Sequence, residues 1–299
     1  MNRVEDLSRS ILPFDQEKAV VAVIELSSTS WLVAGTLPGI TRRPLKKLEP
    51  DPAALGRLLD RWREEATSKG MQIDRVIVAY EAGRDGFWLA RWLQARGMET
   101  HVIHPTSVAV SREHRRSKTD RLDTAMLMRV FLGWLRGERG HCGMVAIPTM
   151  AEEDARRPSR EREKLVGEKT RIINTIKAAM QRLGIRGFNP ALKRAAKQLD
   201  SLTTPDGDPL PPNLRSELQR YLERLSLVRE QIATIERERL ARLEAAPDMK
   251  TNAMVLLLTR IIGVGVETAD MLVQELLSRK LRDRRAVARY AGLTGAPDE

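Results

Sequence analysis

Four acidic residues stand where metal-assisted phosphoryl chemistry would need them. Glu25 ends the apolar run 19–24, and Glu81 ends a second run at 76–80. Asp120 and Asp123 lie in Ser117-Lys118-Thr119-Asp120-Arg121-Leu122-Asp123-Thr124-Ala125, where a helix is expected to begin. Two carboxylates at strand ends and two at a helix start can converge on one point. Asp120 and Asp123 are three apart, so on a helix they share a face. Like charges that close repel unless a cation lies between them. Mg²⁺ takes hard oxygen ligands and keeps several waters, so a few carboxylates suffice, and Mn²⁺ is an alternative. Two such ions, about 4 Å apart, stabilise both oxygens of an in-line displacement. Glu25, Glu81, Asp120 and Asp123 are therefore the candidate metal ligands and catalytic residues. Taken singly, each reads equally as a solvated or capping carboxylate.

The elements that must hold these residues follow from hydrophobic period. Residues 20–26, 31–36, 75–80 and 100–103 read as strands. Residues 51–69 read as a helix with Leu55, Leu58, Leu59 and Trp62 on one face, and 86–96 and 120–135 as two more. Strands alternating with helices imply an α/β domain around a central sheet. Ligands in such sheets bind beyond the carboxyl ends of the strands, where Glu25 and Glu81 fall.

Composition narrows the partners. The chain has 299 residues, enough for about two domains. It carries 51 Lys and Arg against 40 Asp and Glu, for a net charge of +11 and a pI near 10.1. That balance favours polyanions, nucleic acid first. One cysteine, Cys142, excludes an intrachain disulfide and fits a reducing cytosol. No apolar stretch approaches the roughly 20 residues of a membrane span. We therefore expect a cytoplasmic, nucleoid-associated protein with no membrane partner.

The basic charge is clustered. Arg112, Arg115, Arg116 and Lys118 lie immediately before Asp120. Residues 156–186 hold ten Lys or Arg and three Glu. Within them Arg156, Arg157, Arg160, Arg162, Lys169 and Arg171 are candidates for nucleic-acid backbone contact, which gives affinity without sequence choice. Aromatic residues make up only 4%, so a stacking platform for single strands is not indicated. After a Gly/Pro-rich break at 184–212, Leu214, Leu218, Tyr221, Leu225, Val228, Ile232 and Ile235 repeat at spacings of four and three. This is a coiled-coil seam, open to a hairpin within the chain or to a second subunit, a homodimer or tetramer. Near the end, Ile261-Ile262-Gly263-Val264-Gly265 between two helical stretches has the pattern of a helix-hairpin-helix. Gly263 and Gly265 would let backbone N–H groups approach a phosphate.

Five stretches, in order, resemble one family. Ile24-Glu25-Leu26-Ser27 resembles the strand motif Ile-Asp-hydrophobic-Ser of the DEDD transposases, insertion-sequence recombinases that include the Piv-type invertases. Tyr80-Glu81-Ala82-Gly83 with the following Gly86-Phe87-Trp88-Leu89-Ala90 resembles their Glu-Ala-Thr-Gly motif and its helix. Lys118-Thr119-Asp120-Arg121-Leu122-Asp123 resembles their Lys-Thr-Asp-x-x-Asp. Residues 261–265 and Tyr290-Ala291-Gly292-Leu293-Thr294 resemble the two signatures of their C-terminal domain. The resemblance implies a RuvC-like (RNase H-like) α/β nuclease domain at 1–145, a basic helical coiled-coil insertion at 146–248, and a small α-helical C-terminal domain at 249–299. It also implies Mg²⁺, DNA and a structured bridge RNA that pairs with donor and target DNA.

Two departures stand out. Glu25 replaces the family's usual Asp and is one methylene longer. The family's proposed serine nucleophile follows the Gly-Leu-Thr stretch, whereas no serine follows Ser278 here, so we expect the C-terminal domain in this chain to be incomplete. The expected function is a transposase or site-specific recombinase performing metal-dependent phosphodiester cleavage and strand transfer. The alternatives are a non-catalytic nucleic-acid scaffold and a junction resolvase acting by metal alone.

Overall fold

The computed structural model describes residues 14–83, 86–108, 120–138, 142–279, 281, 284–291 and 293. They divide into two compact units, one drawn from Met1–Thr149 and Lys280–Glu299 and the other from Met150–Arg279.

The first unit is built on a mixed six-stranded sheet. Its strands are β1 (Ala19–Leu26), β2 (Trp31–Thr36), β3 (Leu45–Leu48), β4 (Arg75–Glu81), β5 (Glu99–Ile103) and β6 (Met144–Val145), in the order β3-β2-β1-β4-β5-β6. β1, β2 and β3 pair antiparallel, β4 and β5 run parallel to β1, and β6 returns antiparallel at the far edge. Helices α1 (Pro52–Ser68), α2 (Trp88–Gln94) and α3 (Asp120–Leu135) connect and cover the strands, and a short α10 (Arg284–Tyr290) also belongs to this unit.

β1 is apolar without alternation because both of its faces are covered. Val20, Ala22 and Ile24 join one core with Leu55, Leu59 and Trp62 of α1 and Leu89 and Leu93 of α2. Ala19, Val21 and Val23 join the other with Leu127, Met128, Phe131 and Trp134 of α3. Asp51 starts α1 by accepting from the backbone N–H groups of Ala53 and Ala54, ahead of Pro52, whose fixed φ suits a first helical position. Edge strand β3 exposes Lys46 and Lys47, which discourage pairing with another sheet. Cys142 is buried in the α3-side core and its thiol is pushed up to about 11 by burial.

Charge is also buried at the end of the sheet where β4 and β5 begin. Glu99 accepts from Arg75 Nε at 2.9 Å and pairs with His101 Nε2 at 2.8 Å. His101 in turn packs edge-on against Trp134, with ring centroids 4.9 Å apart. Burial alone would raise the Glu99 pKa, but the hydrogen bonds from His101 and Arg75 outweigh it and hold the carboxyl at about 2. A depressed folded pKa stabilises above the unfolded value, near 4.5, and that contribution is lost as pH falls toward 2. Glu99→Gln should therefore cost on the order of 2 kcal/mol at neutral pH. Urea denaturation from pH 7 down to pH 2 checks this: the gap between wild type and variant should close across the acidic half of that range.

The second unit is helical. Its elements are α4 (Met150–Ala155), α5 (Arg157–Arg182), α6 (Ala195–Asp200), α7 (Pro212–Ala245), α8 (Lys250–Leu258), α9 (Val266–Met271) and a π-helical turn Leu272–Leu277. α5 and α7 pack as a hairpin. Ile172, Ile176 and Met180 of α5 meet Leu218, Leu225, Val228 and Ile232 of α7, and α6 adds Ala195 and Leu199. Most of the seven-residue seam of α7 thus packs within the chain, against α5. α6 falls in the stretch read as a Gly/Pro-rich break. Among the described residues no helix is long and apolar enough to cross a membrane.

Candidate metal centre

The parallel register of β1 and β4 sets the geometry. Ile24 pairs with Tyr80, so the next residues, Glu25 and Glu81, stand level at the carboxyl ends of adjacent strands. Side chains alternate along a strand. Ile24 and Tyr80 enter the core under α1 and α2, and Val23 and Ala79 the core under α3. Glu25 and Glu81 therefore face the α3 side. Glu81 is exposed and Glu25 half-buried.

α3 delivers its residues to the same end. Thr124, Leu127, Met128, Phe131 and Trp134 form its sheet-facing stripe. The stripe turns polar at Thr124, whose hydroxyl donates to Glu25 Oε2 at 3.3 Å although the residue is fully buried. Asp123, half-buried, is the preceding residue, and Asp120 opens the helix one turn before Thr124.

The side chain of Asp120 lies outside the described residues, as do Arg112, Arg115, Arg116 and Lys118. Among the described residues no group of three or more His, Cys, Asp or Glu could hold a metal ion. The described donors on this end of the sheet, Glu25, Glu81 and Asp123, offer carboxylate oxygens, whose chemistry fits a hard divalent cation. Thr124 was missed in the sequence because a lone helical Thr carries no signal. Only with the buried stripe of α3 in view does its seven-residue spacing to Phe131 mark it as inward-facing.

No protein-family model matches the chain. A protein of Sinorhizobium fredii (strain NBRC 101917 / NGR234) named "Putative transposase y4rJ" is 40% identical over 289 residues, covering 93% of this chain and 72% of that protein. The chain belongs to this transposase family. A transposase handles DNA, which suits the +11 charge.

In this transposase the basic residues of the helical unit differ in exposure and in pairing. Arg157 and Arg171 are exposed and Lys169 half-buried. Arg157 makes only a loose pair with Asp154, at 3.5 Å across exposed surface. Arg160 is exposed but donates twice to Glu275, at 2.6 and 3.1 Å. Arg162 reaches Glu236 at 2.7 Å and Glu267 at 2.9 Å. Arg156 corrects the expectation of a uniform phosphate-facing cluster. It is 5% exposed, and its Nε donates to the Gln274 carbonyl at 3.1 Å. Burial works to raise the Glu275 pKa, but the hydrogen bond from Arg160 and the charges of Arg160, Arg156 and Arg279 hold it below its ordinary value.

The glycine turn is exposed. Gly263 has φ +87, a conformation that favours glycine, and Gly265 precedes α9. Ile261 and Ile262 at the turn are exposed. α9 is tied to α7 through Asp270, which is fully buried. Arg239 Nε lies 3.0 Å from Asp270 Oδ2, and Arg242 pairs with the other oxygen. Arg239 also pairs with Glu267 and donates to Ser159 Oγ at 2.9 Å. Burial lowers the Arg239 pKa, and the charge of Asp270 opposes that shift.

Proposed function

We propose that this transposase cleaves and rejoins DNA at the carboxyl ends of β1 and β4, with Glu25, Glu81, Asp120 and Asp123 as ligands for Mg²⁺. The observation that carries this reading is the level placement of Glu25 and Glu81 on the face that α3 covers, with Asp123 and Thr124 in the first turns of that helix. When bound, the metal supplies charge neutralisation at a phosphodiester. The chain's own part is to hold a concentrated negative charge in place and to present scissile DNA to it. The strand order, with β1–β3 antiparallel and β4 and β5 parallel to β1, supports the RNase H-like fold implied by the motif resemblance. Exposed Arg157 and Arg171 and half-buried Lys169 offer contacts to nucleic-acid backbone.

Such contacts do not choose a sequence. We infer that a structured guide RNA supplies that choice by base pairing, as the motif resemblance implies. The test is to purify the chain with its nucleic acid, wash in high salt, and sequence what remains. One discrete structured RNA, together with Mg²⁺-dependent cleavage of DNA matching its loops, is the expected result. Heterogeneous nucleic acid lost in salt, with no cleavage, would overturn it.

A further inference from the structure

Glu25 is where this chain departs from the motif it resembles, and the structure places the Thr124 hydroxyl against that departure. Glu has one more rotatable bond than Asp between backbone and carboxylate. A longer arm costs more side-chain entropy to fix in a single position. A ligand that wanders at a strand end is a poorer ligand, because affinity for Mg²⁺ depends on near-ideal octahedral placement. Something must narrow its range.

Thr124 has the required position and chemistry. It is fully buried on the inward stripe of α3, directly before the apolar contacts of Leu127 and Met128 with the sheet. Its hydroxyl donates to Glu25 Oε2 at 3.3 Å, across 99 residues of sequence. Its branched Cβ leaves two χ1 wells within a helix, and the one occupied here turns the hydroxyl toward Glu25. The helix is held in turn by Phe131 and Trp134 in the core. The 3.3 Å separation is long for a hydroxyl–carboxylate bond, so the pairing is modest in strength.

We propose that Thr124 is a positioning residue that orients the Glu25 carboxylate for a divalent cation, offsetting the extra methylene of Glu25. The proposal rests on Glu25 being a metal ligand, as argued above. Thr124 is assigned no contact with the reacting atoms; its role is to position Glu25. Outer-shell partners of ligating carboxylates are typically worth about 10- to 100-fold in metal affinity.

The test is Mn²⁺ binding to the full-length chain by isothermal titration calorimetry, with thermal melting as the folding control. Thr124→Val keeps the shape and removes the donor, and should weaken Mn²⁺ binding about 10- to 100-fold with little change in melting. Thr124→Ser keeps the hydroxyl and should stay within about threefold of wild type, since the bond it preserves carries the effect. If the Val variant does not fold, the Ser and Ala variants make the same comparison, because they differ only in the hydroxyl. Glu25→Gln separates the two layers of the argument. Mn²⁺ binding lost in Glu25→Gln but unchanged in Thr124→Val and Thr124→Ala overturns the role of Thr124 and leaves the metal site standing. Equal Mn²⁺ binding in wild type and Glu25→Gln, or none in either, overturns both.

Discussion

Glu25→Gln should reduce Mg²⁺-dependent DNA cleavage by about 100-fold or more, with no loss of stability in the α/β unit. The expected size follows from the several kcal/mol that a bound cation contributes to a phosphoryl transition state. Gln has the shape of Glu without its charge. It can still accept from Thr124, so the local packing survives. The strand-end neighbour at the same level is Glu81, another carboxylate. Without a cation, removing one of two like charges relieves repulsion, so melting should stay level or rise slightly. This opposite movement of activity and stability marks a ligand site rather than a structural ion pair. The measurement is single-turnover cleavage of a DNA carrying the element's end, alongside calorimetric melting. Undiminished cleavage would remove the acidic site from the mechanism.

Asp270→Asn should do the reverse and unfold the helical unit. Asp270 is fully buried and faces Arg239, itself 3% exposed, and Arg242. The amide leaves the guanidinium of Arg239 in a desolvated place with Glu267 as its remaining anionic partner. Breaking a buried pair from one side typically costs about 3–5 kcal/mol. A matched control is Arg215→Gln, which breaks the exposed pair with Asp200 and should cost less than about 1 kcal/mol. Urea unfolding followed by limited proteolysis within residues 150–279 distinguishes the two. If both variants unfold at the same urea concentration as wild type, the Asp270 network is not what holds α9 to α7.

The sequence carried some of this arrangement and not the rest, for physical reasons. β1 and β4 were readable as runs of apolar, largely β-branched residues, and β2 and β5 as short stretches rich in strand-forming residues. β3 was not, since Leu-Lys-Lys-Leu at a sheet edge has no such run, and β6 is two residues long. The seam of α7 announced that a long helix packs along one face. A seven-residue period does not name the partner, and that had to come from the position of α5. The carboxylates at the strand ends were visible from the runs that precede them. That Glu25 and Glu81 stand level depends on register between strands, which is set by pairing and not by either segment alone. Thr124, Glu99 and Asp270 were invisible for a related reason. Each is a small polar or charged residue whose meaning lies in a partner 24 to 99 residues away, as with Arg75 for Glu99 and Glu25 for Thr124. Asp270 within Val-Glu-Thr-Ala-Asp-Met reads as surface until α7 is laid beside it.

The buried Cys142 has a practical consequence. It is the chain's sole thiol, shut inside a core and protonated at neutral pH. Maleimide reagents attack the thiolate at accessible positions, so the native chain should be almost blind to them. A cysteine introduced on the surface of each unit could then carry a fluorophore with negligible background. The emission of each dye would then report on its own unit alone, free of signal from the native thiol.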